Sequence, residues 1–598
     1  MGDLHGARVA FLVRNSLDWV ATLLSIWAAG GIAVPLCTAH PVKEMAYVVA
    51  DSGAELVLGT KEFLDRVEEV VEAVRREKGG VRLEGEGEVR VGGVEGLFSP
   101  ASPPPISREG GVGSKNVIDT LLHKRALIIY TSGTTSLPKG VVTTHLNLSA
   151  QSASLKLAWK YSPTDHLLHI LPLHHVHGIL NCTLTPLLTG ATIEFFPQPF
   201  NAANVLTRLA QGALREGEGE REKVTLLMAV PAIYMRLLER YHAADMGPEQ
   251  RRAVTQALSS LRLAVSGSSS LPTSVRSAWA QISSGGTLLE RYGMTEVGMA
   301  VSCGLDSALR PAGAVGWVLP GYEVGLRSSD PPSSPSPPSS PSSPSSPSSS
   351  SSLPPTSIEG EVLIRGPGVF TEYWNRPSTT TSNEFLPAEY TPDTLLPPGA
   401  GTPFPNLEIE GIEGWEGEGD IPTLLSPSSY PWFKTGDFAR LAPLPLPFPL
   451  PTSQPPQTTL TTTQPPPLTP PLTLLGRITT DILKSGSEKL SALEIEHAIL
   501  QHPSLPIAEI AIVGLPSRKW GDLVAAVVVL KPGYDVEEGW GEERVERELK
   551  RELKKSVAAW KVPKVVRVVR ELGRNAMGKV GKRDLVKRVF PGWREEAN

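Results

Sequence analysis

Short apolar runs recur through the first half of the chain. Val9 to Val13, Ile32 to Val34, Ala126 to Ile129, Leu167 to Leu173, Val224 to Val230 and Leu261 to Val265 are too short for helices and read as buried strands. Between them lie stretches with helix signals. Asn15-Ser-Leu-Asp caps one helix, Asn181 to Gly190 spans another, and Pro231 stands where the first turn of a helix tolerates it. Strands alternating with helices predict an α/β architecture with a largely parallel sheet. From Leu474 the pattern changes. Ala508 to Val513 and Leu523 to Leu530 read as strands, and Val545, Leu549, Leu553 and Val557 recur every four residues on a Glu/Lys/Arg-rich helix. This predicts a small α+β domain over 475–598 behind a large one over 1–474.

Other stretches break the periodicity. Residues 83–115 read as a surface loop. Ser328 to Ser357, Pro387 to Pro431 and Leu441 to Leu472 are rich in Ser, Pro, Thr or Gly, bury too little apolar surface to offset ordering, and predict disorder or extended polyproline loops. Strand-like runs flank each, so they decorate the large domain and do not divide it. Trp19 to Leu36 lacks charge for the length of a minimal membrane span, but Gly30-Gly31 and Pro35 interrupt it. A buried helix, a turn and a strand explain it better, so no membrane span is expected. No basic n-region or Arg/Ser-rich leader is visible.

With 598 residues the chain has room for two domains and an ample core. A net charge of −5 argues against bulk nucleic-acid binding. Cys37, Cys182 and Cys303 are too widely spaced for a disulfide framework or a CxxC metal site, which points to a reducing intracellular compartment, mitochondrial or cytoplasmic.

The chemistry concentrates in Tyr130-Thr-Ser-Gly-Thr-Thr-Ser-Leu-Pro-Lys-Gly140. Hydroxyls, backbone N–H groups and one Lys between two strands suit a polyphosphate. It is not a Walker A loop, because Lys139 precedes Gly140 and no Ser or Thr. In Glu290-Arg-Tyr-Gly-Met-Thr-Glu296, a Thr beside a Glu suits a phosphate oxygen and Mg²⁺ together. His174, His175 and His177 crowd one short turn too closely to share one zinc ion, and read as a pocket wall.

The 130–140 loop resembles the phosphate-binding loop of the adenylate-forming superfamily of acyl-CoA synthetases, luciferases and peptide-synthetase adenylation domains, with Ser136 where the family has Gly. The resemblance implies a large N-terminal α/β domain of the acyl-adenylate-forming type with a small mobile α+β C-terminal domain. It also implies some tens of residues ahead of the first strand, so the start is expected to be truncated. ATP, Mg²⁺ and coenzyme A are the implied substrates and cofactor, with a small carboxylic acid as the partner activated. Thr131, Ser132, Gly133, Thr134, Thr135 and Lys139 then hold phosphates, Thr295 reaches the α-phosphate, Glu296 binds Mg²⁺ and Tyr292 faces adenine. Ser266-Gly267-Ser268 forms the adenine-side loop, with Ser266 also turned to the acyl group. Trp432-Phe-Lys-Thr-Gly-Asp437 resembles the ribose motif, Gly476-Arg477 opens the inter-domain hinge, and Asn575-Ala-Met-Gly-Lys579 resembles the C-terminal lysine motif, whose Lys579 reaches the forming bond. Gly486 and Ser487 fall at the coenzyme tunnel, where Ser487 replaces a Gly that lets pantetheine approach.

Arg291 stands where most acyl-CoA synthetases have a small residue, and a guanidinium there suits a second carboxylate. Together with Leu-Pro-Leu-His-His-Val-His-Gly178 the motifs look like the malonyl-CoA synthetases of the acyl-CoA synthetase family member 3 group. That resemblance implies ligation of malonate or methylmalonate to coenzyme A through an acyl-adenylate, with Arg291, His175, His177 and Ser266 at the acid. The alternatives are a fatty- or aryl-acid CoA ligase, and a non-catalytic homologue with a binding or scaffold role.

Overall fold

A computed structural model describes residues 4–77, 90–93, 122–131, 137–196, 199–212, 222–328, 357–376, 383–396, 404, 426–441, 469–485, 488–502, 504–534, 539–555, 557–574 and 580–593. The expected low-complexity stretches fall largely outside this set. So do Ser132, Gly133, Thr134, Thr135 and Ser136 of the phosphate loop, Gly486, Ser487 and Lys579.

The described residues form four sheets. In the first, Ile32–Pro35, Arg8–Leu12 and Leu56–Gly59 run parallel, and Ile32–Pro35 also pairs Arg125–Thr131. That strand turns back antiparallel into Lys139–Thr144. The second sheet is parallel across His166–His169, Leu226–Ala229, Leu263–Ser266 and Leu289–Met294, and continues through antiparallel Gly298–Ser302 to Trp317–Val318. The mainly parallel α/β expectation holds for these two sheets. Helix His145–Trp159 and the helical run from His177 to Thr189 lie between them. Leu148, Ile179 and Leu184 pack with the first sheet, while Leu155, Trp159 and Leu180 pack with the second. A helix buried on two faces shows no single apolar stripe, and this one also buries Asn147 and Gln151.

Three expectations are corrected. The helix expected from Asn181 begins earlier, at His177, as wide i→i+5 turns through Leu184. The loop expected at 83–115 contains a strand, Arg90–Gly93, added parallel to Leu56–Gly59. Its single apolar residue, Val91, leaves no alternation to read. The stretch 387–431 likewise contains Thr394–Leu396, which pairs with Glu323–Arg327. The run Trp19 to Leu36 is helix Leu17–Ala28 followed by strand Ile32–Pro35, and no described helix is long and apolar enough to cross a membrane.

The third sheet is antiparallel, centred on Ile358–Arg365 and Trp432–Leu441. Its strand Leu472–Arg477 leads through one turn into Ile482–Ser485 of the fourth sheet. There Ile507–Ser517 and Gly521–Leu530 form a long hairpin with Val565–Val568 beside it. Helices Ala492–Leu500 and Glu542–Leu553 pack on one face of it and Lys582–Val589 on the other. Val545, Leu549 and Leu553 form the buried stripe, as their spacing predicts, while Val557 lies past the helix end. The chain is a large N-terminal domain followed by a small α+β one.

Candidate active site

Strand Leu289–Met294 delivers three consecutive side chains to three different environments. Glu290 pairs with Arg276 at 3.2 Å, and burial pushes its carboxyl up to about 7. Arg291 is 5% exposed, donates from Nη2 to Ser268 Oγ at 3.1 Å, and has no partner among the described residues for its buried Nε. It makes no salt bridge with a described residue, and burial lowers its pKa to about 10. The guanidinium packs over Gly267, where a Cβ would meet Nε at 2.3 Å, so a side chain at this position would push Arg291 aside. Ser268 adopts φ +69°, a left-handed conformation costly for a side-chain-bearing residue and commonest where function holds it. Its hydroxyl faces Arg291 and, at 3.5 Å, His177 Nδ1.

Around this guanidinium are further unpartnered buried atoms. Among the described residues, His177 Nε2 and Ser266 Oγ have no hydrogen-bond partner, and neither does the side-chain amide of Asn181 on the same helical run as His177. Burial, and then Arg291, hold the His177 pKa well below its usual value, so the ring is neutral. His175 is half-buried beside His174, with ring centroids 4.0 Å apart. The structure thus brings Ser266, Ser268, His177 and Arg291 together.

Tyr292 turns to the other half of the site. Its hydroxyl donates to Asp437 Oδ2 at 2.7 Å, while Arg477 Nε lies 3.1 Å from Oδ1. Asp437 and Arg477 are register partners on adjacent strands, which fixes this contact. Asp437 is the first cause of the raised Arg477 pKa. Glu296 follows the strand turn. It is buried, accepts from Tyr373 Oη at 2.9 Å, and has its pKa raised by burial. It forms no salt bridge among the described residues. A buried carboxylate without a cation fits a divalent ion, so Glu296 would hold Mg²⁺ with Thr295, half-buried, beside it. Lys139 Nζ sits 4.7 Å from the centre of the Tyr373 ring and 3.8 Å from Glu384. Tyr373 therefore stands between Lys139 and Glu296.

The ends of the phosphate loop are fixed from outside. Thr131 and Lys139 are register partners. Tyr47 Oη donates to Pro138 O at 2.8 Å, Tyr130 Oη donates to Asp51 Oδ2 at 2.8 Å, and Arg376 Nη1 lies 3.0 Å from Asp51. Asp51, Tyr47, Arg376, Tyr373 and Glu384 escape sequence reasoning because no spacing links them. The sole local signal is the polar-aromatic cluster Tyr373-Trp-Asn-Arg376 after a Gly-Pro-Gly turn.

These side chains are carried on two α/β sheets with a small α+β domain behind, and family membership makes the chain an AMP-forming acid–thiol ligase. The chain belongs to the AMP-binding enzyme family, whose model matches residues 2–374, and the model of the AMP-binding enzyme C-terminal domain matches 494–579. It is 34% identical to the mitochondrial malonate–CoA ligase ACSF3 of Homo sapiens, over 99% of this chain and 84% of that one. It is 35% identical to a CoA ligase of Gibberella moniliformis, over 98% and 86%. An oxalate–CoA ligase of Arabidopsis thaliana is 25% identical, over 97% and 88%. Among solved structures, ATP-bound MatB from Rhodopseudomonas palustris aligns with a TM-score of 0.65 at 25% identity, covering 98% of this chain and 88% of that one.

Proposed function

We propose that the chain joins malonate or methylmalonate to coenzyme A, with ATP cleaved to AMP and pyrophosphate. The observation that carries this reading is Arg291, a buried guanidinium with an unpartnered Nε, beside the unpartnered Ser266 hydroxyl and neutral His177. A buried cation without a counter-charge is costly unless a ligand supplies one. A monocarboxylate consumed at the phosphate supplies none; the distal carboxylate of malonate does. Relatives named malonate–CoA ligase support the same choice.

In this reading Arg291, oriented by Ser268, grips the distal carboxylate, and His177 and Ser266 line the pocket. The reacting carboxylate attacks the α-phosphorus near Thr295, and pyrophosphate leaves toward Lys139 and the 132–136 loop. Asp437 receives the ribose hydroxyls, and Tyr292 holds its oxygen in place. Glu296 would hold Mg²⁺, which would supply charge neutralisation on the phosphates. Lys579 closes on the forming bond. The small domain then turns on the segment after Arg477 to bring coenzyme A past Gly486 and Ser487. The domain boundary near 474/475 belongs to this proposal, as does a mitochondrial or cytoplasmic setting.

The test is pyrophosphate release with malonate, methylmalonate, acetate and octanoate. Malonate is expected to lead, and Arg291→Ala to lower its kcat/KM by about 10²–10³-fold, the scale for truncating one partner of a buried charge pair. Unchanged malonate use by that variant would sink the dicarboxylate reading. Preference for octanoate would favour a fatty-acid ligase.

A further inference from the structure

Cys37, His40 and His174 come from a turn after strand Ile32–Pro35 and from the histidine loop that leads to His175 and His177. In the fold one ligand atom of each lies within 4.8 Å of the others. Donor atoms on a tetrahedral zinc sit about 3.5 Å apart, a spacing that small side-chain rotations reach from here. Cys37 is a buried free thiol. Burial raises its pKa, while the backbone N–H groups of Ala39 and His40 point at its sulfur and favour the thiolate that a metal needs. Burial keeps the His174 ring neutral and able to donate a lone pair. Glu44 Oε2 lies 3.5 Å from His40 Nδ1. One thiolate leaves a zinc ion with net charge +1, which Glu44 offsets.

We propose that Cys37, His40 and His174 bind one zinc ion, at a site separate from the Mg²⁺ position at Glu296. Two imidazoles and a thiolate are a borderline-to-soft donor set, suited to Zn²⁺ and poor for Mg²⁺. Three protein ligands leave a fourth position for water. On binding, Cys37 gives up its thiol proton to solvent and its sulfur forms the metal bond. The ion would tie the 37–40 turn to the loop that carries His175 and His177, and so fix one wall of the acyl pocket.

The experiment titrates the full chain, stripped with a chelator, with Co²⁺ as a spectroscopic probe and then with Zn²⁺. One equivalent of Co²⁺ is expected to give a thiolate-to-cobalt charge-transfer band that one equivalent of Zn²⁺ abolishes. Cys37→Ser should remove the band with the far-ultraviolet circular dichroism unchanged. His40→Ala should weaken binding at least tenfold, and Glu44→Gln about 10–100-fold, the usual cost of losing the group that orients a ligating imidazole. Absence of the band in the parent protein overturns the proposal. So does its survival in Cys37→Ser, which would assign the sulfur to Cys182 or Cys303. If Cys37→Ser fails to fold, full affinity in His40→Ala overturns the proposal instead.

Discussion

Glu290, Arg291 and Tyr292 show how little a residue's type says about its work until its surroundings are known. Glu290 has a folded pKa of about 7, above its ordinary value of 4.5. Between those values the folded chain keeps a proton that the unfolded chain has lost, so this group makes stability fall as pH rises from about 4.5 to 7. Melting temperature followed across that range should decline more steeply in the parent protein than in Glu290→Gln; parallel curves would contradict the assignment. Tyr373 acts on its neighbour Glu296. Tyr373→Phe removes a hydrogen bond to a buried carboxylate, worth about 1.5–3 kcal/mol when that group is charged. The expected outcome is a raised Mg²⁺ requirement at unchanged KM for the acid, read from initial rates over a Mg²⁺ series. Arg291 was legible from its sequence neighbours, since the Tyr-Gly-Met-Thr-Glu motif fixes its place. Tyr373 was not, because it lies far from Glu296 in the chain and reaches it through a fold contact alone.

At the scale of elements, strands Arg125–Thr131 and Lys139–Thr144 pair antiparallel and were readable as apolar runs on either side of polar residues. What holds their ends was not readable. Asp51, at the end of helix Val42–Ser52, accepts from Tyr130 before the loop and pairs with Arg376, while Tyr47 on the same helix reaches Pro138 after it. Asp51→Ala leaves the half-buried Tyr130 hydroxyl without its carboxylate acceptor and takes from Arg376 its only anionic one among the described residues, at a cost of about 1–3 kcal/mol. The KM for ATP should rise roughly tenfold with the acid's KM little changed; equal effects on both would place Asp51 in general stability instead. The pairing of Asp437 with Arg477 is another element-level result. Two motifs that the sequence presents separately are one ladder rung in the sheet. Short strands such as Arg90–Gly93 and Thr394–Leu396 went unseen for the opposite reason, since neighbours and not their own pattern define them.

At the scale of the molecule, the division into a large and a small domain was visible in the change of periodicity past Leu474. Contacts between the domains were not, because they are polar and sparse. Glu494, on helix Ala492–Leu500, bridges Arg440 of the large domain at 2.6 Å and Lys561 of its own at 3.1 Å. His497 and Gln501 add contacts to Ser270 and Thr273. Lys582 ties Asp481, in the turn after Arg477, to Glu496 at 2.6 and 2.8 Å, and so couples that turn to the body of the small domain. Part-exposed pairs of the Arg440–Glu494 kind contribute about 0.2–1 kcal/mol. Glu494→Ala should therefore change the ratio of thioester formation to pyrophosphate release by no more than about fivefold, and added salt should push it the same way. A larger change would make this contact a true lock.

The Arg291 guanidinium, without a salt-bridge partner among the described residues, has a thermodynamic face as well as a chemical one. A protein that keeps a bare buried charge ready for its substrate is less stable empty than filled, and the acid acts on the whole fold by mass action. Malonate alone, without ATP or coenzyme A, should raise the melting temperature, while acetate should not. Arg291→Met should melt higher than the parent when empty and respond to neither acid. Substrate preference would then be read from heat, before any turnover is measured.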